Sequence, residues 1–577
     1  MSGTMGRMYI GASGLQAQQN AINTTAHNLT NLGTEGYSRQ QVLMADLGYQ
    51  NLGYTKVVFN QTGLGTKVDE TRTTRDHFLD RKYRLQTSRQ YYYQAKSEVI
   101  QEVQEYFGET EGSTFQDYMK KLWKSIQDVQ RTPNGFVERT SLVATAAAFI
   151  DRANEIYGQL TDYQRNLNDK IRSQVETINE LAGEVYEMNQ MVLKCESAGV
   201  ESANDYKDAR NLALDKLSQY ISIEVREQAN GTVDVYAEGH LLVTEDRIYN
   251  IATKPVTAGS DLLTVYWEFD ETSVFNLERV TVEGDNSDTG SLKGMLSARG
   301  DFRPNYTDIP LRENFGSEAD YQQALFTYNT TLNNRDVANL IAQFDQLIHG
   351  MVTKINDVLC PNKTITGLDG QTYTVLDTEK AGKGFGEGNE VQGTELFVRG
   401  QCDRYQEMTL TVMDDVDNHP VTKTYLVYVE EDPDDFYSLY TLGRISVNDA
   451  LVKNPALLPL TKINGEEYQD VANELLELWN KDFATLDPNT LVMNDFNNYY
   501  AAMVGDYANN GYTYQGIAEK QATMVNEVEN QRQQMIGVSS DDELTNLIKY
   551  QHAYNASSRY ITVVSEMIEH IIERLGR

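Results

Sequence analysis

Cysteine and proline are scarce in this chain, which has three cysteines and ten prolines in 577 residues. Cys195, Cys360 and Cys402 are far apart and odd in number, so neither a disulfide framework nor a CxxC zinc site is expected. Long apolar runs are also lacking. The most apolar stretch, residues 142–150, is far too short to span a bilayer, and the N-terminus has no continuous apolar segment of the kind found in secretory signals. The sequence therefore predicts neither membrane insertion nor a cleaved signal peptide.

Basic residues are outnumbered: 50 Lys and Arg stand against 84 Asp and Glu, which gives a net charge of −34. Such a field argues against nucleic acid as a partner, because a basic patch could not neutralise phosphates across it. Apolar residues make up 40% of the chain, enough for ordinary cores. The length suits about two to four domains. Composition alone would favour a cytoplasmic protein.

Motifs for catalysis, metal binding and phosphate binding are missing as well. The histidines lie in no HExxH or HxxxH arrangement, and no GxSxG, Walker-type loop or dinucleotide fingerprint occurs. The glycine-rich stretch GKGFGEG (382–388) lacks a strand-to-helix context and is interpreted as a loop. DNSDTG (285–290) faintly resembles a calcium loop, but its twelfth position is Leu296 rather than the glutamate required. We predict that the chain is not an enzyme and uses no cofactor and no metal.

What the sequence does contain is a helical pattern at each end. Residues 8–32 fit a heptad, and the stretch 13–34 carries no formal charge. One set of heptad positions is apolar and the other is small or polar. The first set is Met8, Leu15, Ile22 and Leu29, and the second is Ala12, Gln19 and Ala26. Isolated helices of this length are marginal, so this segment needs partners.

The C-terminal helix has the complementary composition. After a cap at SSDDE (539–543), its stripe runs to about residue 575, with larger apolar side chains. One row holds Leu547, Tyr554, Ile561, Ile568 and Leu575, and the other holds Tyr550, Ser557, Val564 and Ile571. We predict that the two terminal helices pair as a coiled coil, with Leu15, Ile22, Leu29, Leu547, Tyr554, Ile561 and Ile568 along the line of contact. Docking of an ordinary helix on a globular core is the alternative reading of this pattern.

Between the ends the pattern alternates between helix and strand. Long helices are predicted at 74–107, 114–130, 141–190 and 203–220, and again at 318–359 and 494–535. Strand patterns at 221–236, with Asn230-Gly231 as a hairpin turn, at 262–269 and at 280–282 define a β subdomain, 221–298. Alternating stretches at 408–412 and 421–429 indicate a second β-rich region.

The predicted fold class is therefore mainly α with β insertions, an α+β multidomain chain. Residues 1–60 and 537–577 would form the terminal coiled coil. Residues 61–360 and 481–536 would form a long helical-bundle domain that carries the β subdomain, and residues 361–480 an inserted outer β-rich domain.

Both ends resemble a known family. ASGLQAQQNAINTTAHNLTNLGTEGYSRQ is similar to the N-terminal motif of flagellar axial proteins, the rod, hook and hook-associated proteins. GVSSDDELTNLIKYQHAYNASSRYITVVSEMIEHII (537–572) is similar to their C-terminal motif. Matching motif positions are Asn23, Asn28, Tyr37, Gln551 and Tyr554, whereas Ile536 departs from the serine usual before Gly-Val. The resemblance is strong at both termini, weak in the helical middle, and hardly touches 361–480.

The resemblance implies a structural component of the bacterial flagellum, with hook-associated proteins of the hook–filament junction as the most similar branch. It implies terminal segments that become ordered helices on assembly, and type III export without a cleaved signal, hence an extracellular location. The implied partners are further copies of the chain in a ring, the hook protein, hook-associated protein 3, an export chaperone and the export apparatus. Alternatives are a hook or distal rod protein, or a flagellar subunit whose insert is enzymatic or adhesive.

Overall fold

The computed structural model describes residues 2–54, 59–107, 114–197, 202–279, 285–386, 389–413, 419–462 and 465–575. It confirms the predicted fold class, because long helices dominate and small sheets are inserted among them. Across the described ranges, no helix is both long enough and apolar enough to cross a membrane.

The helices account for most of the architecture. Their bounds are α1 Ser2–Thr30, α2 His77–Phe107, α3 Phe115–Arg131, α4 Phe136–Glu196, α5 Asn204–Tyr220, α6 Ser291–Arg299, α7 Glu318–Thr331, α8 Asp336–Leu359, α9 Asp449–Lys453, α10 Gln469–Glu477, α11 Phe496–Ile536 and α12 Ser540–Leu575. The longest, α4, has 61 residues. A helix rises about 1.5 Å per residue, so this element alone makes the molecule elongated.

The strands form small antiparallel sheets. Their bounds are β1 Gln40–Asp46, β2 Tyr49–Tyr54, β3 Phe59–Gly63, β4 Thr66–Thr73, β5 Ile223–Glu227, β6 Val233–Ala237, β7 His240–Val243, β8 Ile251–Pro255, β9 Leu263–Trp267, β10 Asn362–Thr366, β11 Thr372–Leu376, β12 Lys383–Gly386, β13 Asn389–Gln392, β14 Phe397–Arg399, β15 Tyr405–Met413, β16 Pro420–Tyr428, β17 Ile445–Val447, β18 Ala484–Thr485 and β19 Met493–Asn494.

A continuous apolar core runs along the helical domain and joins α2, α3, α4, α5, α8 and α11. Helix α8 packs an apolar stripe into this core, since Leu340, Phe344, Leu347, Ile348, Met351, Ile355 and Val358 are all buried. Lys96 of α2 lies inside this core, where its ammonium group is 3.0 Å from the Asp336 carboxylate at the start of α8 and donates to the Tyr514 hydroxyl of α11. A buried charge needs such partners, so this contact fixes three helices relative to one another.

The β subdomain confirms the predicted hairpin. Strand β5 pairs with β6, with Val225 opposite Val235, and Gly231 has a left-handed φ of 82° in the connecting loop, a conformation that glycine adopts without strain. The subdomain lies along α4, whose Asn189 side chain bonds the backbone of Val233 at both its N–H and its carbonyl group. The predicted strand at 280–282 lies outside the described residues.

In the region 361–480, strands β10, β11, β16 and β15 form a four-stranded sheet in that order. Its base is fixed to the helical domain by Glu431, which pairs with His349 of α8 at 3.1 Å and accepts from the Tyr440 N–H. Asp345 of α8 accepts from the Tyr306 and Leu442 backbone N–H groups. These buried polar contacts hold the inserted sheet against the helical bundle.

Two features differ from the sequence predictions. The single helix predicted at 318–359 is wrong, because α7 ends at Thr331 and α8 begins at Asp336. The break follows Leu332, and Arg335 turns inward, almost fully buried, to donate to the Leu277 carbonyl. In addition, residues 40–54 and 59–73 form a β-ribbon for which no strand is predicted. Strands β1 and β4 pair, and β2 and β3 continue the same ribbon.

Candidate functional site

The two terminal helices pack against each other in antiparallel orientation. Gly11 of α1 lies against Ile561 of α12, and Gly14 lies against Ser557. A Cβ atom placed on Gly11 would lie only 2.6 Å from the Ile561 Cγ1 atom, far inside van der Waals contact. Glycine is therefore required for this helix spacing, because it lets the two helix axes approach closely.

The contact face of the pair is built mainly from small and polar groups. On α1 the fully buried members are Gly11, Ala17, Ala21, Thr25 and Asn28. The residues predicted along the line of contact include Ile561, which lies directly against Gly11. Each of them is partly buried, and they are Leu15, Ile22, Leu29, Leu547, Tyr554, Ile561 and Ile568. The other heptad positions of α1, Met8, Ala12, Gln19 and Ala26, are exposed.

The terminal pair exposes more large apolar side chains than it buries. Among the described residues of α1 and α12, the fully buried apolar side chains are Ala17, Ala21 and Val564. The exposed large ones form what we call the terminal stripe: Met8, Tyr9, Leu544, Ile548, Tyr560, Val563, Met567, Ile571 and Ile572. A folded protein rarely exposes so many large apolar side chains on one pair of helices, so these residues indicate further contacts.

A compact hydrogen-bonded group, the junction cluster, lies where the pair meets the rest of the molecule. It consists of Asn28, Tyr37, Arg39, Gln40 and Glu543. The Asn28 amide donates to the Gln40 carbonyl (2.9 Å) and the Glu543 carboxylate (3.1 Å). Its oxygen accepts from the Tyr37 hydroxyl (2.7 Å) and the Gln40 N–H (3.0 Å). Arg39 pairs with the buried Glu543 carboxylate at 2.7 Å. One asparagine thus joins α1, the following loop, β1 and α12.

Three chain segments meet where the terminal helices join the helical domain: the loop 31–39, residues 74–76 and the end of α11. Hydrogen bonds connect each of them to the other two. The Arg39 N–H donates to the Ile536 carbonyl and the Arg39 carbonyl accepts from the Thr74 N–H. The Thr74 hydroxyl donates to the Met535 carbonyl at 3.1 Å. The position of the terminal helices is therefore coupled to the end of α11 and the start of α2.

A layer of alternating charges supports the junction from the helical domain. Arg532 of α11 contacts Asp80 (3.0 Å) and Asp215 (2.7 Å), and Arg84 also contacts Asp215 (2.7 Å). Burial raises the pKa of the Asp215 carboxyl, but the positive charges of Arg84 and Arg532 together lower that pKa by more. The pKa of Asp215 is therefore below its usual value. Arg75 joins Asp80 to this layer at 2.7 Å.

A second carboxylate connects this layer to the loop after α1. Asp208 of α5 accepts from the Ser38 N–H at 2.8 Å and lies 3.4 Å from Arg75. Burial raises the pKa of Asp208 to about 6 although these donors oppose the shift. Burial also raises the pKa of the nearby Tyr37 hydroxyl, with Asp205, Asp208 and Glu543 adding to the effect. Tyr37 therefore stays protonated and acts as a hydrogen-bond donor.

The five motif residues are not all in one place. Asn28 and Tyr37 meet in the junction cluster, but Asn23 is exposed, and its side-chain oxygen accepts from Gln19 on the same helix. Gln551 is exposed and Tyr554 partly buried on α12. Sequence reasoning missed Arg39 and Glu543. Arg39 lies in the quoted motif GYSRQ and Glu543 in SSDDE. Because the two termini were predicted to pair, the opposite charges of these residues could have predicted the ion pair between them.

The remaining sequence candidates have structural explanations. Gly382 and Gly384 of the glycine-rich stretch approach the backbone of residues 457–459 so closely that a Cβ would overlap carbonyl oxygens there. Asp288 of the calcium-like loop is buried and accepts from Arg89 and Tyr93. Across the described part of the chain, no group of three or more His, Cys, Asp or Glu residues is placed to hold a metal ion.

The junction cluster makes a local prediction that one pair of variants can test. Asn28→Ala removes the hydrogen bonds that the Asn28 side chain makes to the N–H and the carbonyl of Gln40. It also leaves the buried Glu543 carboxylate with Arg39 as its partner in the cluster. Leaving buried polar groups unpaired costs about 1–3 kcal/mol. If local opening becomes easier by that amount, the amide exchanges roughly tenfold to hundredfold faster. We expect that increase at the Gln40 amide, measured by hydrogen exchange on the free chain. Asn23→Ala, on the same helix, should leave the rate within about twofold; equal effects would contradict the role given to Asn28.

Three family models match the chain. "Flagellar hook-associated protein FlgK helical domain" matches residues 100–372. "Flagella basal body rod protein" matches residues 8–37, and "Flagellar basal body rod FlgEFG protein C-terminal" matches residues 529–574. The two rod models thus cover α1 and α12, the helices that pair, and the first model covers most of the helical domain.

Similar proteins extend along nearly the whole chain. Flagellar hook-associated protein 1 of Bacillus subtilis is 23% identical over 578 residues, covering 97% of this chain and 96% of that protein. The Escherichia coli protein of the same name is 24% identical, covering 97% and 98%. A solved structure of the flagellar hook junction protein FlgK from Burkholderia pseudomallei aligns with 78% of this chain and 99% of that one, with 11% identity and a TM-score of 0.45.

An elongated helical protein whose two ends pair beside a β-ribbon, and whose ends match rod-protein models, is a flagellar axial protein. Its class is structural: such subunits build the flagellum, and the family is not one of enzymes. Within that class, the chain is similar to flagellar hook-associated protein 1 along nearly its whole length, and its helical domain matches the model of the FlgK helical domain. It is a structural component of the bacterial flagellum.

Proposed function

We propose that the chain is the adapter at the hook–filament junction, where copies polymerise on the hook as a ring and template the next hook-associated protein and the filament. The observation that carries this proposal is the terminal stripe. Nine large apolar side chains on α1 and α12 face solvent, and stacking on neighbouring copies would bury them. Each buried member contributes about 1.5–3 kcal/mol.

Assembly would bury the apolar side chains that the α1–α12 pair leaves exposed on its own. Helix α1 has 29 residues and α12 has 36, and fixing the backbone costs about 1–2 kcal/mol for each residue. Two alanines and one valine form too small a core to offset that cost, and isolated helices are marginal in water. The terminal helices therefore become stable when a template of neighbours is present, which makes polymerisation depend on an existing tube end.

The uncharged face of α1 suits this role. Burying a charged group in a packed wall carries a desolvation cost, and the stretch 13–34 has no formal charge. The expected neighbours are further copies, the hook protein and hook-associated protein 3. Terminal segments without stable structure also suit export through a narrow channel, by an export chaperone and the type III apparatus, to an extracellular location. The inserted sheet would then face outward.

One substitution in the terminal stripe tests the proposal. Met567→Asp on α12 adds a charge to a surface that would be buried on assembly, at a cost of several kcal/mol in every subunit. In a strain that lacks its own copy, we expect at least about a tenfold loss of flagella with filaments, counted by electron microscopy. The monomer should keep its helical content.

The matched control is Met524→Asp on α11. Met524 and Met567 are exposed to similar extents, 49% and 45%, but Met524 belongs to the helical domain. The control should retain filaments. If Met567→Asp assembled as well as wild type, the terminal stripe would not be an assembly surface.

A further inference from the structure

A second exposed apolar surface lies on the helical domain, far in sequence from the terminal helices. Three successive residues before α11 are exposed: Leu491 to 97%, Val492 to 67% and Met493 to 48%. Phe326 of α7 is exposed to 63%. Single apolar residues on a surface are ordinary, but three consecutive ones beside an exposed phenylalanine are typical of an interaction site.

The loop and the helix form one surface. The side-chain amides of Asn329 and Asn489 donate to each other at 3.0 and 2.8 Å. The Tyr321 hydroxyl donates to the Pro488 carbonyl at 3.1 Å. Phe326 lies one turn before Asn329 and shares its side of the helix. The loop is therefore held against α7, with Leu491 two residues beyond the amide pair.

This loop also has a defined conformation. The Asp487 carboxylate accepts from the Asn489 N–H at 2.8 Å and from its side-chain amide at 2.7 Å. Short strands β18 and β19 close the loop at its base. The apolar side chains are thus presented by a bonded turn, and ordering the loop on binding would cost little entropy.

This surface carries no charged side chain. No residue from 321 to 334 or from 488 to 494 is charged, in a chain with a net charge of −34. A basic partner would be attracted to the acidic surface elsewhere. Two copies of this chain repel each other over most of their surfaces, so they can approach where both are neutral.

We propose that this neutral face, formed by Phe326, Leu491, Val492 and Met493, docks against a second copy of the chain. The inference rests on the proposed function, which places copies side by side in a ring and so brings neighbouring helical domains together. It adds a lateral contact outside the terminal helices. Because the contact belongs to the helical domain, it strengthens the ring at a distance from the packed terminal layer.

Photo-cross-linking in assembled flagella tests this contact. A benzophenone amino acid at position 491 should yield an adduct with twice the chain mass of 65.3 kDa. The control position is Asp169 on α4, whose side chain is also highly exposed, 78%. No adduct at 491, an adduct with a different protein, or equal dimer yields at 491 and 169 would overturn the proposal. The flagella used already carry filaments, so a negative result would concern this surface alone.

A substitution next to the reporter gives a second readout. With the photoreactive residue at position 492, Leu491→Asp should lower the yield of the dimeric adduct by about tenfold, because it places a charge in the neutral contact. Leu491→Met keeps the surface apolar and should leave the yield unchanged. If the Asp and Met variants cross-link equally, Leu491 is not part of a contact between copies.

Discussion

A chain that ends at residue 544 is expected to fold and to be exported, yet to leave flagella without filaments. Removing residues 545–577 deletes most of α12 and with it most of the terminal stripe. It keeps Glu543, so the junction cluster and the charged layer beneath it remain. The helical domain has its own continuous core and should unfold at the wild-type temperature. Without α12, α1 also loses its partner along the Gly11 and Gly14 contacts, so no terminal layer can form.

For the chain that ends at residue 544, we expect a complete loss of filament assembly rather than a partial one. Filament subunits should accumulate in the medium, because no completed junction retains them, and motility in soft agar should be lost. The truncated chain should itself appear in the medium, which separates a failure of assembly from a failure of export. Filaments of normal length on cells that make only the truncated chain would contradict the adapter function.

The second large effect concerns Arg532, which joins α11 to α2 and α5. Its guanidinium group contacts Asp80 and Asp215 and stacks on the Tyr83 ring at 4.3 Å. Arg532→Ala leaves both carboxylates with a single arginine each, Arg75 and Arg84. Breaking a buried ion pair costs about 3–5 kcal/mol, and we expect a loss of about 3 kcal/mol in the free energy of unfolding, measured with urea on the free chain.

The pH dependence of that loss has a definite sign. The folded-state pKa of Asp215 is below its ordinary value of 3.8, so its ion pairs stabilise the fold above that pH. The stabilisation is lost as the pH falls through the folded pKa. The difference between wild type and variant should therefore be full at neutral pH and should narrow below pH 3.8. Arg131→Ala, which removes an arginine that is 73% exposed, should change stability by no more than about 0.5 kcal/mol. Equal losses for the two variants would contradict the importance of the buried layer.

The local patterns of this sequence predicted its local structure well. The helical tracts, the hairpin at Asn230-Gly231 and the buried stripe of α8 follow from periodicity and turn chemistry, which act over a few residues. The ribbon formed by β1 to β4 was missed because its strands contain glycine, asparagine and glutamine alongside apolar residues, so no clear alternation stands out. It is held in part by α1, where the Thr66 N–H donates to the Ser13 hydroxyl.

The junction cluster shows the limit of sequence reasoning more sharply. Asn28 and Tyr37 were singled out through the family motif, but the partner that completes the cluster, Glu543, lies 515 positions from Asn28. No periodicity reports a contact at that separation. The most buried positions of α1 are also displaced from the predicted heptad: Gly11, Ala17, Ala21, Thr25 and Asn28 are buried, whereas Leu15, Ile22 and Leu29 are partly buried.

Hydrogen exchange at the terminal helices, compared between the free chain and isolated flagella, tests the central claim most directly. In dilute solution the amides of residues 8–24 and 548–572 should exchange almost as fast as in an unfolded peptide, while those of α4 stay protected. In flagella the same terminal amides should slow by about a thousandfold or more, which corresponds to about 4 kcal/mol of added stability. Equal and strong protection in both states would show that the helices are ordered without neighbours, and would contradict assembly-dependent folding.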